Sequence, residues 1–135
     1  MEKIIGIEEC SFEHGRGIIY EGGRIQTDKR TIKFGISSGQ NCCEHWGYFS
    51  TLDNPDDFIG ANLLDVELCD SDLKVHTETS KYLEDNFLSV DSCIFVTVKT
   101  SVGDFQLTVY NEHNGYYGHG VMMVSDNEEF FKKYL

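Results

Sequence analysis

The chain has 135 residues, of which 40% are hydrophobic and 13% aromatic; that is enough to bury a core and too many for a disordered chain. Eleven Lys and Arg face 23 Asp and Glu, a net charge of −12, and a field of that sign repels nucleic-acid phosphate and anionic membrane while attracting basic surfaces. With one proline and no Pro/Gly/Ser-rich linker, a single domain over residues 1–135 is expected.

In chain order, residues 3–12 read as a first strand with a β-branched start. Residues 15–23 hold Ile18-Ile19-Tyr20 and then Glu21-Gly22-Gly23, a short strand entering a glycine turn. Residues 31–36 alternate apolar with polar or small side chains, the period of a half-buried strand, and residues 37–41 are loop. An extended pattern resumes over 46–52, after which Asn54-Pro55-Asp56-Asp57 forms a turn that opens one short helical turn through Phe58-Ile59. Residues 63–69 give another strand, residues 70–80 a polar loop or edge, and residues 81–88 a short helix with Ser80 as N-cap.

Residues 93–100 are rich in β-branched side chains, and Val102-Gly103-Asp104 turns the chain into a further strand over 105–110. That strand and the apolar run 121–124 flank Asn114-Gly115. An Asn-Gly pair between alternating runs predicts a tight hairpin, because a type I′ turn needs φ > 0 at both central residues. Residues 127–135 carry acids first and lysines last, the order that a helix dipole prefers, and predict a C-terminal helix. Many short strands with few helices predict the α+β class: one domain with a mostly antiparallel twisted β-sheet and one or two short helices. A barrel-like all-β sheet is the close rival.

Five cysteines, an odd number with Cys42 and Cys43 adjacent, argue against a secreted disulfide framework. The first residues form no long apolar stretch, so neither a signal peptide nor a membrane span is expected and a reducing cytoplasm is the simplest location. Cys42, Cys43, Glu44, His45, His113 and His119 are the residue types of a zinc site. No CxxC or HxxxH spacing is present, however, and adjacent cysteines point to opposite faces of an extended chain. Cys43 and His45 supply the types of a thiol nucleophile and its base, but acidic surroundings raise a thiol pKa and work against reactivity. Paired carboxylates such as Glu8-Glu9 and Glu128-Glu129 are too numerous to mark a catalytic pair, and no phosphate-binding or nucleophile-elbow motif occurs. No enzyme activity, cofactor or metal is expected. Recognition is better served: Trp46, Tyr48, Tyr110, Tyr116 and Tyr117 offer large, rigid contact area beside acidic residues.

Cys42-Cys43-Glu44, the step Phe58-Ile59-Gly60 into a strand, and the turn Asn114-Gly115-Tyr116-Tyr117 resemble a family of small phage-encoded domains that pairs a CCE segment with a following IG step and an NGYY turn. The resemblance covers roughly residues 32–124 and brings no settled activity. It implies a phage or mobile-element origin, and small acidic phage proteins of this kind include anti-CRISPR and other anti-defence inhibitors. The expected function is therefore that of an acidic inhibitor, acting in the host-cell cytoplasm, that occupies the basic nucleic-acid-binding surface of a bacterial host protein. Candidate contacts are Asp53, Asp56, Asp57, Asp70 and Asp72, with Tyr116 and Tyr117 as anchors. Direct nucleic-acid and membrane binding are not expected, and the protein is expected as a monomer or homodimer. The alternative is a protein that binds or sequesters a small nucleotide signal, with Arg16, Arg24, Arg30 and Lys33 as the clustered supply of phosphate donors.

Overall fold

A computed structural model describes residues 1–15, 17–38, 45–51, 54–69, 76–89, 92–112, 120–126 and 128–134. Among them are nine strands: β1 (Glu2–His14), β2 (Ile18–Thr27), β3 (Thr31–Ser37), β4 (His45–Ser50), β5 (Asn62–Cys69), β6 (Cys93–Thr100), β7 (Gly103–Glu112), β8 (Gly120–Ser125) and β9 (Glu128–Tyr134). One helix, α1 (Thr77–Asp85), and a 3-10 turn, Pro55–Phe58, complete the elements. The strands form one sheet in the order β4-β7-β6-β5-β1-β2-β3-β8-β9, and every pairing is antiparallel. The fold is thus mostly antiparallel β with one α-helix. No helix among the described residues is long and apolar enough to cross a membrane.

β1 is the hinge of this sheet. Its first residues pair with β5, Glu2 opposite Leu63 and Lys3 opposite Asn62, and its remainder pairs with β2 up to His14 opposite Ile18. An irregularity between Ile4 and Gly6 changes the alternation, so that Ile4 and Ile7 both reach the main core. A bulge of this kind bends a strand and re-aims its side chains. The two halves of the sheet consequently face each other. Ile25, Ile32 and Phe34 from one half pack with Val96, Val98 and Phe105 from the other, each such side chain contributing about 1.5–3 kcal/mol when buried.

The half β4-β7-β6-β5 carries α1 on its other face. Leu83 of α1 packs with Phe95 and Cys93, Tyr82 stacks on Phe49 with ring centroids 3.8 Å apart, and buried Thr79 donates its hydroxyl to Gln106 Oε1 at 2.8 Å. The half β1-β2-β3-β8-β9 instead curls. Its two outermost strands lie four steps apart, about 19 Å in a flat sheet, yet His14 Nε2 of β1 reaches Glu129 Oε2 of β9 at 3.6 Å. Phe12, Tyr20, Met122 and Val124 form a third cluster in this half.

Four sequence expectations are corrected. Residues 128–134 form a strand rather than a helix: β9 pairs along β8 from Ser125–Glu128 to Gly120–Tyr134, and β8 presents an edge whose amides and carbonyls need partners. The runs on either side of Asn114-Gly115 are not a hairpin. β7 already has β4 on one edge and β6 on the other, so β8 pairs with β3 in the opposite half; the Asn-Gly turn itself lies outside the described residues. Gly22-Gly23 is not a turn but the middle of β2. Finally, α1 begins at Thr77 with His76 as its cap, four residues before the predicted start at Lys81.

Candidate functional site: an acid-rimmed cleft between the sheet halves

A cleft of about 260 Å³ opens between β1–β2 of one half and β4–β7 of the other. Ile7, Ile25, Phe34, Leu107 and Val109 give it apolar walls, and Tyr48 and Pro55 line another side. Glycine makes the room. Gly22 is required by backbone approach, since a Cβ there would collide with the carbonyl oxygen of Phe34 and lie 2.7 Å from Gly35 Cα. Gly23 is different: a Cβ would meet only the carbonyl oxygen of Glu8 at 3.8 Å and Leu107 Cδ1 at 4.0 Å, ordinary contacts. Position 23 shares a strand face with Ile25, which packs in the main core. The missing side chain at Gly23 therefore leaves space on the inward face.

The electrostatics of the cleft are acidic. Glu9 of β1 lies on its lining, two residues from inward-packed Ile7, and Glu21 of β2 is two residues from Gly23 on the same strand face. Burial, followed by the charges of Glu9 and Glu21, pushes the Tyr48 phenol up from its ordinary value. Asp56 and Asp57 occupy the first turn of the 3-10 helix whose first residue, Pro55, lines the cleft. Asn54 caps that turn by accepting the Asp56 N–H at 3.1 Å, and both aspartates are exposed.

The basic residues have partners within the chain, and Arg24 and its partner Glu8 are themselves on the cleft lining. Arg24 pairs with Glu8, Arg30 Nε donates to Glu2 Oε2 at 2.8 Å, and Lys33 Nζ lies 5.9 Å from the centre of the Phe12 ring. Each is engaged by a different partner. Of the basic residues expected to supply phosphate donors, Arg24 and Lys33 lie directly opposite each other on β2 and β3, Arg30 is drawn to Glu2 instead, and Arg16 lies outside the described residues.

Of the acidic contacts expected from the sequence, Asp56 and Asp57 sit together beside the cleft, whereas Asp53, Asp70, Asp72, Tyr116 and Tyr117 lie outside the described residues. The other recognition aromatics are divided between layers. Trp46 and Tyr48 pack toward the main core, and Tyr110 packs in the cluster beneath α1. Glu9, Glu21 and Gly23 were not singled out by sequence reasoning. A glycine pair within a β-branched run was the available signal, because glycine inside a strand marks close approach or open space.

The Cys42–Glu44 and His113–His119 clusters also lie outside the described residues. Among the described residues no group of three or more His, Cys, Asp or Glu is placed to hold a metal ion. Cys10 is a free thiol whose pKa burial pushes up, against the opposing charge of Lys33.

Neither the curated proteins nor the solved structures include a match to this chain. The family match runs from β1 into β8 and takes in all the residues placed at the cleft. Over residues 3–123 the chain matches the family described as a domain of unknown function, DUF7448, and it belongs to that family.

Proposed function

We propose that the protein is a non-catalytic binding protein whose acidic cleft rim docks on a basic surface of another protein and blocks it. The single observation that carries this reading is an apolar cleft that has Glu9 on its lining and exposed Asp56 and Asp57 directly after the lining residue Pro55, while Arg24, Arg30 and Lys33 are engaged within the chain. Long-range attraction supplies a fast, salt-sensitive encounter, and the apolar cleft supplies contact area after desolvation. The scaffold is read as a single α+β domain with a twisted sheet. In the phage setting implied by the CCE and NGYY motifs, the partner is a nucleic-acid-binding protein of bacterial immunity in the host cytoplasm, bound by a monomer or homodimer.

Tagged protein incubated with lysate of a bacterial host, at low salt and at about 0.5 M salt, tests the reading. A stoichiometric basic partner, captured at low salt and released at high salt, is expected. The variant Asp56→Lys/Asp57→Lys should lower its affinity about tenfold or more and flatten the salt dependence. Unchanged affinity in that variant removes the two aspartates from the interface.

A further inference from the structure

The cleft has a definite size and polarity, and both bear on its occupant. About 260 Å³ falls below the roughly 300–1,000 Å³ typical of sites for drug-sized ligands, so it suits one side-chain-sized group rather than a nucleotide. Its apolar walls at Ile7 and Leu107 match an aliphatic stem. Its polar end is acidic: Glu9 is on the lining, Glu21 stands near enough for its charge to act with that of Glu9 on the Tyr48 phenol, and neither carboxylate has an ion pair among the described residues. Arg24 also lines the cleft, but its charge is taken up by Glu8, and Lys33 sits over Phe12. An arginine or lysine side chain has the complementary form, an apolar stem ending in a cation that carboxylates and an aromatic ring both attract.

We propose that the cleft is the socket for one arginine or lysine side chain of the partner protein, with the stem against Ile7 and Leu107 and the cationic head at Glu9 and Tyr48, within the field of Glu21. This rests on the proposed reading of a basic protein partner and adds the residue that anchors it. Gly23 is then a positioning residue, since any side chain at that position occupies the space the stem needs.

The experiment titrates ¹⁵N-labelled protein with N-acetyl-arginine amide, and in parallel with N-acetyl-citrulline amide, which keeps the shape and lacks the charge. Saturable shifts at the amides of Gly22, Gly23, Tyr48 and Leu107 are expected for the arginine compound. Affinity should fall about tenfold or more in Gly23→Leu and in Glu9→Gln/Glu21→Gln, and for the citrulline compound. Equal binding of the two compounds, or an unchanged titration in Gly23→Leu, overturns the proposal. If Gly23→Leu does not fold, Gly23→Ala, whose methyl makes only ordinary contacts, and the carboxamide pair carry the same comparison. A small amine found bound to the purified protein by native mass spectrometry also overturns it, because the source of the cation is then a free ligand. The partner pull-down separates the two levels. Capture lost with Asp56→Lys/Asp57→Lys but retained with Gly23→Leu leaves acidic docking in place and removes the socket.

Discussion

At the C-terminus of α1, Phe87 adopts φ 56° with its side chain 91% exposed. The local hydrogen bonds explain the backbone: Leu88 N–H reaches the Leu83 carbonyl at 2.8 Å and Phe87 N–H reaches the Glu84 carbonyl at 3.3 Å. That is the Schellman pattern, in which the left-handed position normally belongs to glycine because a Cβ there meets the neighbouring carbonyl. The penalty is about 1–2 kcal/mol, partly offset when glycine is introduced by its greater freedom in the unfolded chain. Phe87→Gly should therefore stabilise the fold by about 0.5–1 kcal/mol, a rise of about 2–4 °C in Tm. Phe87→Ala, which keeps the strain, should give no such rise. Thermal melts of the three proteins check this, and a lower Tm for Phe87→Gly would show that the ring makes a stabilising contact.

At the scale of elements, the docking of α1 depends on a residue far from it in sequence. Gln106 of β7 is completely buried; its Oε1 accepts from His76 N–H at 2.9 Å and Thr79 Oγ1 at 2.8 Å, and its Nε2 donates to Thr97 Oγ1 at 2.9 Å. His76 provides no side-chain cap of its own, so β7 does part of the work that an N-cap residue does elsewhere. Gln106→Leu strands those groups and should cost about 2–4 kcal/mol. Hydrogen exchange should show α1 losing protection ahead of β6, and uniform loss across both would place the role of Gln106 in the sheet alone. The same dependence explains why α1 was read four residues late: its start is set by a partner 30 residues away, and Ser80 only looked like the local cap. Strands such as β3, β5 and β6 were legible because their alternation and β-branched content are local properties. The Asn-Gly hairpin and the C-terminal helix failed because strand pairing is decided by which edges are free. β7 had none left, and β8 had one that residues 128–134 could cover. Of the candidate site, Asp56 and Asp57 were legible as exposed acids beside a turn. Glu9 and Gly23 are neighbours across β1 and β2, but they meet Tyr48 and Leu107 only when β1 folds the two halves together.

For the whole molecule, the join between the halves ties stability to pH. Glu2, at the start of β1 where the strand leaves β5, accepts from Arg30 Nε at 2.8 Å, from Arg30 Nη2 at 3.2 Å and from Thr27 Oγ1 at 2.6 Å. Burial works upward on its pKa, but the hydrogen bonds and charge of Arg30, with the Thr27 hydroxyl, outweigh it and hold the carboxyl below its ordinary value of 4.5. A carboxylate depressed by folding contributes stability that is present above its unfolded pKa and lost as pH falls through the folded one. The net charge of −12 acts in the opposite sense: protonating the other carboxylates relieves repulsion in the compact state. Glu2→Gln separates the two effects, because it removes the clasp and only one of many charges. It should lower stability near pH 7 by about 1 kcal/mol, a modest figure because the Arg30 side chain is 38% exposed and water screens the pair. The gap should narrow as pH falls below 4.5 and close once Glu2 is protonated in both states. Urea midpoints measured from pH 7 down to about pH 3 check this. A gap that persists at the acid end would assign the effect of Glu2→Gln to packing at the join rather than to the charge on the clasp.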